Sequence, residues 1–329
     1  MLSKRLCILL PIRGREDCVK EYLEHSLGPC RESGIDLYLC DSSDTEANRL
    51  LAQEYIQQGY ENLHYMPEPP RTAPSAPDYR VFPNPDHKVF AAQLILAEKY
   101  DYIWLCGDNC LLDFQATLPQ VQRCMEQGAD ILHFDDSRRM PLGETRVYTD
   151  AREFYADDAW HMTAYGVSLV SSRVIKGMNT PGALEKFLDS GFLYTMSLMD
   201  YCARNPFTAI HAHQRFFRDN PRRQRSGWVA NGTALEVFCG NWTLANRALD
   251  AVYDGQKADA IRSHSQYTGL FGVFGCVRMR ASGNLTVGKL RSVRAYLPGI
   301  SDTPVWWYYL LCLCPRALAS FVCALRKPK

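Results

Sequence analysis

The chain has 329 residues, a formal net charge of +1, and 47% apolar against 22% charged residues. That is the make-up of an ordinary folded protein, long enough for one large domain or a domain with an appendage, and it excludes a disordered or low-complexity chain. The near-neutral total conceals a split, because residues 276–329 carry nine basic side chains and one acidic one, a charge of +8, which leaves −7 on the first 275.

Such asymmetry points to a basic appendage that meets an anionic surface. The thirteen cysteines are odd in number, none shows C-x-x-C spacing, and most lie in apolar runs, as Cys7, Cys40, Cys106 and Cys312 do. Buried thiols of this kind act as small hydrophobes, and the expected compartment is reducing and cytosolic. The start, MLSKRLCILLPIRGRED, has an apolar stretch of only seven residues before Arg13, Arg15, Glu16 and Asp17, and it reads as a buried first strand, not a secretory signal. The three Asn-x-Thr triplets, at Asn231, Asn241 and Asn284, are then chance matches.

Residues 6–12 form a continuous apolar run of strand length, and Val19, Tyr22, Leu23 and Leu27 come next at helical spacing. A second strand is expected over 35–41. A helix over 43–59 opens on cap-type residues and stops at Gly59. Residues 62–66 make a short third strand, and a proline-rich loop runs from Pro67 to Pro85. A helix over 86–100, a strand over 101–106, a helix over 114–127 and a strand over 130–134 complete the first half. Strands that alternate with helices imply a mainly parallel sheet covered on both faces, with ligands beyond the carboxyl ends of the strands. Arg13, Asp41 and Asp108 all fall at such ends.

The second half is less periodic. Residues 160–175 turn from strand or loop into a short helix, 184–203 hold another helix, and 215–228 form a basic loop. Residues 234–252 read as a helix. From Val305 to Leu325 the chain is apolar and begins with Trp306, Trp307, Tyr308 and Tyr309, but Pro315 and Arg316 interrupt its middle. A central arginine costs roughly 2.5–3.5 kcal/mol on insertion scales. The tail therefore reads as an element that lies on, or dips into, a leaflet, with Arg326, Lys327 and Lys329 against anionic head groups. The alternative is a tail packed on the globular domain or on a second subunit.

Three strand ends carry the chemistry: LPIRGRED, CDSSDTEAN and YIWLCGDNCLL. In this order and spacing they resemble family 2 glycosyltransferases of the GT-A fold, over about the first 135 residues. The resemblance implies a Rossmann-like α/β architecture, a mostly parallel sheet flanked by helices, assigned here to residues 1–254; the basic, aromatic tail makes residues 255–329 a helical, membrane-associated appendage. It implies a nucleotide-sugar donor, UDP-linked on family grounds, held by Pro11, Ile12, Arg13, Asp41, Ser43, Gly107 and Asp108. The family's Asp-x-Asp has become Gly-Asp-Asn: Cys106 stands where the leading acid would be, and Asp108 is the one carboxylate left in Asp108-Asn109-Cys110. Mn²⁺ or Mg²⁺ would sit on Asp108 and the Asn109 carbonyl, with the diphosphate completing its oxygen ligands.

Sugar transfer also needs a base for the acceptor hydroxyl and positive charge for the departing diphosphate. The expected base is Asp200, an isolated acid in an apolar helix whose burial would raise its pKa. Its alternatives are a solvated helix face for Asp200 itself, or Asp157 and Asp158 as rivals. His211, His213, Arg222, Arg223 and Arg225 are candidates for the leaving group. The two histidines alternate as on one face of a strand; such a pair is more often structural or solvent-facing than metal-bound, and with no third ligand in view it is weak evidence for zinc. Nucleic acid is not an expected partner, because the aromatics are not interleaved with Lys and Arg.

The expectation is thus a peripheral enzyme on the cytoplasmic face of the cell membrane that glycosylates a lipid-linked or polysaccharide acceptor with inversion. Two rivals stand beside it: a sugar nucleotidyltransferase, which PIRGRED with its single glycine does not favour, and a non-catalytic sugar-nucleotide-binding protein.

Overall fold

The computed structural model describes residues 5–67, 85–135, 143–180, 182, 184–188, 190–223 and 232–325. The chain forms two compact units. The first comprises residues 1–154, 161–189 and 193–224; the second comprises 155–160, 190–192 and 225–329.

The strands are β1 (Leu6–Ile12), β2 (Asp36–Asp41), β3 (Leu63–Pro67), β4 (Tyr102–Leu105), β5 (Cys110–Leu112), β6 (Ile131–Asp135), β7 (Arg146–Tyr148), β8 (Ser168–Ser171), β9 (Ala209–Arg215) and β10 (Phe217–Asp219). Among the described residues, eight of them form one sheet in the order β3-β2-β1-β4-β8-β6-β9-β7, and β5 and β10 form a separate antiparallel pair. β3, β2, β1 and β4 run parallel. β8 is antiparallel to both β4 and β6, which leaves β6 parallel to β4, and β9 parallel to β6. The carboxyl ends of β1, β2, β4, β6 and β9 therefore share one edge.

The helices of the first unit are α1 (Glu16–Ser33), α2 (Ala47–Gln57), α3 (Pro85–Ala97), α4 (Phe114–Gln127), α5 (Ala151–Asp158), whose second half belongs to the other unit, α6 (Ser172–Met178) and α7 (Leu193–Arg204). β1 and β4 are apolar without alternation because helices cover both faces of the sheet. α1 ends where Gly34 takes a left-handed φ of 70°, so that the Ile35 N–H reaches back to the Cys30 carbonyl. Asp113 caps α4 by accepting the Ala116 N–H at 3.1 Å. Trp104 lies at the centre of the core, stacked 5.6 Å from Phe134, with its indole N–H given to the Gly166 carbonyl.

The second unit is helical, with α8 (Trp242–Ala248), α9 (Lys257–Thr268), α10 (Val273–Ala281), α11 (Val287–Ser292), α12 (Leu297–Ile300), α13 (Val305–Leu313) and α14 (Arg316–Leu325). The chain passes for the last time from the first unit to the second at residues 224 and 225, ahead of the expected 254/255 division. The reason is packing: Trp242 of α8 lies 5.5 Å from the His264 ring of α9, so α8 folds together with the helices beyond residue 254. α13 and α14 meet at 104°, across the break at Pro315, and among the described residues no single helix is long and apolar enough to cross a membrane. One face of the tail packs within its unit through Tyr308, Cys312 and Ala319, while Trp306, Leu310, Leu313, Phe321 and Leu325 are exposed.

Candidate functional site

Ile12 and Asp41 are register partners at the ends of β1 and β2. Beyond them the backbone turns through Gly14 and Arg15, both left-handed, at φ 64° and 61°. For an arginine that conformation costs about 1–2 kcal/mol, and it points to a constraint from elsewhere. The constraint is visible in the side chain. The Arg15 guanidinium lies 3.0 Å from Asp108 Oδ1 and donates to Asn109 Oδ1 at 3.2 Å. Arg13, the residue expected here, is exposed and pairs with Asp44 at 3.6 Å, on the surface. Of the two arginines it is Arg15 that enters the site, and the signal for it in the sequence is the glycine before it, which permits the reversal.

Asp108 is 1% exposed, just past the end of β4. Burial raises the pKa of its carboxyl, an effect that Arg15 and two backbone N–H groups reduce without cancelling. Oδ1 is held by Arg15, whereas Oδ2 is buried with no hydrogen-bond partner. The turn itself is fastened by Asn220, a buried residue that no sequence motif singles out. Its amide donates to the carbonyls of Asp108 at 2.8 Å and Cys18 at 3.0 Å, and its oxygen accepts the Arg222 N–H. Its own N–H goes to the Asn109 carbonyl, and β10 just before it pairs Asp219 with Cys110 of β5. Gly107 is partly exposed beside Tyr165.

The Asp41 carboxylate is fully engaged. Oδ1 accepts the Ser43 N–H and the Ser43 hydroxyl, and Oδ2 accepts Tyr65 Oη at 3.0 Å. Ser43 Oγ in turn accepts the Gly14 N–H at 2.7 Å and the Asn48 amide at 3.0 Å. Asp41 thus fixes the turn that places the Ser42–Ser43 backbone beside Gly14. Pro11 and Ile12 are the last residues of β1, with Ile12 buried, and they support this turn from below.

The leaving-group arginines are at the rim. Arg222 and Arg223 are exposed and pair with Glu21 and Asp219. Arg225 lies outside the described residues, as do Asn231, Arg326, Lys327, Lys329 and residues 68–84 of the proline-rich loop.

Asp200 requires a correction. It is buried, as expected, but its carboxylate is paired with two cations: Arg204 donates to Oδ2 at 2.7 Å, and the Lys186 ammonium lies 3.5 Å from Oδ1, which accepts no hydrogen bond. Tyr194, at the start of α7, lies near Cys106 at the Asp108 edge, while Tyr201 and Cys202 lie near Asp130, ahead of β6. Six residues of helix, about 9 Å of rise, carry Asp200 away from Tyr194 toward that opposite edge. The rivals Asp157 and Asp158 belong to the second unit.

A group that the sequence did not assemble sits at the ends of β6 and β9. His133 and His211 are register partners, and a bulge after Phe134 brings Asp135 beside both His211 and His213. Asp135 Oδ1 lies 2.9 Å from His211 Nε2 and 3.5 Å from His213 Nδ1. Behind them His133 Nε2 is 2.8 Å from His161 Nδ1, and His133 Nδ1 is 3.2 Å from Ser168 Oγ. Burial and the neighbouring imidazoles push His133 well below the ordinary histidine range. For Asp135 burial acts upward, but the bonds and charges of His211 and His213 prevail and hold it below the usual carboxylate value.

No model of a known protein family matches this sequence, and no curated protein does. Solved structures do match. The Staphylococcus aureus protein TarS, residues 1–349 in complex with UDP-GlcNAc, superposes with a TM-score of 0.55 at 11% identity, over 99% of this chain and 93% of the other. The same protein with UDP gives 0.52 at 11% identity, over 94% and 90%. The mannosyltransferase PcManGT from Pyrobaculum calidifontis, in complex with GDP-Man and Mn²⁺, gives 0.51 at 12% identity, over 99% and 88%. Likeness at this level of identity speaks for architecture: a parallel-dominated sheet between helices, with β8 reversed beside β4, is the GT-A fold.

Proposed function

We propose that the chain is a glycosyltransferase that takes its sugar from a nucleotide sugar, with the diphosphate beside Asp108 and the nucleoside toward the Asp41–Ser43 turn. One observation carries this reading. Asp108 is a buried carboxylate at the ligand edge of the sheet, kept there at a cost in solvation, with one oxygen balanced by Arg15 and the other without a protein hydrogen bond. Leaving such an oxygen unsatisfied is costly, and at this edge of the sheet a bound cation or ligand donor would satisfy it.

The donor set suits a hard divalent cation. Mn²⁺ or Mg²⁺ binds through one or two carboxylates plus phosphate oxygens and water, and Asp108 Oδ2 supplies one such oxygen. The Asn109 side-chain oxygen is taken by Arg15, so its contribution would come only with a shift of that guanidinium. A cation held there would neutralise charge on the departing diphosphate. Arg15 supplies fixed positive charge at the same place. The complexes of TarS with UDP-GlcNAc and of PcManGT with GDP-Man and Mn²⁺ support a nucleotide-sugar donor and a cation.

In the reaction the acceptor oxygen bonds to the anomeric carbon as the bond to the diphosphate oxygen breaks and its electron pair leaves with the nucleotide. The acceptor's proton passes to a base, and Asp200, tied by Arg204 and Lys186, is not placed to take it. A single displacement of this kind inverts the anomeric centre. The acceptor of this reading is a lipid-linked or polysaccharide glycan at the cytoplasmic face of the membrane. The exposed apolar face of α13 and α14 and the +8 charge of residues 276–329 favour that location.

The test is a thermal-shift panel of UDP, GDP and dTDP, each with and without Mn²⁺. A ligand that binds only the folded chain at 100 times its Kd stabilises it by about 2.7 kcal/mol. One nucleotide should raise the melting temperature, more so with Mn²⁺, and Asp108→Ala should abolish the rise; a flat panel contradicts the proposal. Binding with no sugar transfer to membrane extracts would favour the non-catalytic sugar-nucleotide-binding reading.

A further inference from the structure

We propose that Asp135, His211 and His213 form a second, separate metal site, built for a transition-metal ion of which Zn²⁺ fits best, with His133 and His161 as its supporting layer. The proposal does not rest on the glycosyltransferase reading.

The geometry is close to that of a bound ion. Ligand atoms 2.0–2.1 Å from a tetrahedral Zn²⁺ lie roughly 3.3 Å from one another. Asp135 Oδ1 is 2.9 Å from His211 Nε2 and 3.5 Å from His213 Nδ1, which brackets that spacing. The facing donor atoms of Asp135, His211 and His213 all lie within 4.8 Å of one another, as do those of His133, His161 and His211. Two imidazoles and a carboxylate select Zn²⁺ and its first-row neighbours over Mg²⁺, which prefers an all-oxygen shell. Three protein ligands leave a fourth position open, and His213, 15% exposed, marks the side from which solvent or a substrate hydroxyl would reach it.

The backbone is shaped for the same purpose. Regular pairing of β6 with β9 would oppose Asp135 to residue 213, but the bulge moves its partner to Arg215 and so leaves both β9 histidines beside one carboxylate. Behind the ligands, His211 pairs across the sheet with His133, and His133 is fixed between Ser168 and His161. The His133 ring packs 4.7 Å from that of His211, so this buried layer limits how the ligand ring can turn. Gly143 leaves space for the His213 ring, since a Cβ at that position would come within 3.2 Å of it.

The experiment uses the full chain, stripped with a chelator, re-equilibrated with Zn²⁺ or Mg²⁺, and passed through gel filtration before bound metal is counted. One equivalent of Zn²⁺ and no Mg²⁺ should stay with the wild type. His213→Gln and Asp135→Asn should release it. Asp108→Asn should retain the full equivalent, which separates this site from the nucleotide site. Co²⁺ loading of the wild type gives a readout that needs no variant: ligand-field bands of a nitrogen and oxygen site support the proposal. A thiolate charge-transfer band would put the ion on cysteines and overturn it, as would absence of stoichiometric Zn²⁺ or equal retention by His213→Gln.

Discussion

Asp108 and Arg15 carry opposite charges and different kinds of strain. Burial raises the Asp108 pKa above its unfolded value, so between the two values the folded state holds more protons than the unfolded one. Stability from this group is therefore greatest below the ordinary carboxylate range and falls as pH rises through the raised folded value; above it the loss is constant. Asp108→Asn should accordingly melt no lower than wild type at neutral pH, lose that advantage in acid, and fail to respond to nucleotide. Melting curves across pH check all three. Arg15 holds a left-handed backbone. Arg15→Ala keeps the strain and loses the ion pair, whereas Arg15→Gly loses the pair but relieves the strain. The glycine variant should be about 1 kcal/mol more stable than the alanine variant in urea unfolding, with nucleotide affinity reduced in both.

At the scale of elements, the Asp108 turn is held by β10 and Asn220 more than by β4. Asn220→Ala leaves the Asp108 and Cys18 carbonyls without their donor and should cost about 1–3 kcal/mol in urea unfolding, with weaker nucleotide binding as a consequence. Asp200→Asn should cost a similar amount of stability, because it breaks the link from α7 to Lys186, and should leave turnover per folded molecule nearly intact. Had Asp200 been the base, turnover would fall by about 10²-fold or more with stability little changed.

These elements differ in how far the sequence reveals them. β1, β2 and α4 are legible because an apolar run or a cap and stop signal is local. β5 and β10 are three residues each, too short to carry a period, yet they anchor the site. β8 lies reversed beside β4, a placement that only tertiary packing decides. Arg13 stands nearer the strand end than Arg15, and sequence spacing does not report the left-handed turn that reverses their roles. His211 and His213 lack a third ligand in sequence because Asp135, His133 and His161 arrive from β6 and from a turn 28 residues beyond His133. Asp200 has the burial expected of a base but not the placement.

For the whole molecule, the GT-A unit and the helical unit each have their own core, and the tail of the second presents a bent apolar face. If that face meets anionic lipid, the protein should float with vesicles that contain phosphatidylserine and less so as salt rises, since charge steers it there. Leu313→Asp with Phe321→Asp should abolish flotation without loss of the nucleotide response, because both side chains are exposed.

A crystal structure with UDP and Mn²⁺, with anomalous data to locate the ion, tests most directly where the nucleotide sits. The diphosphate and a manganese peak are predicted beside Asp108 Oδ2, with the uridine toward the Asp41–Ser43 turn. A nucleotide bound elsewhere, or Asp108 and Asp41 facing different cavities, would contradict it.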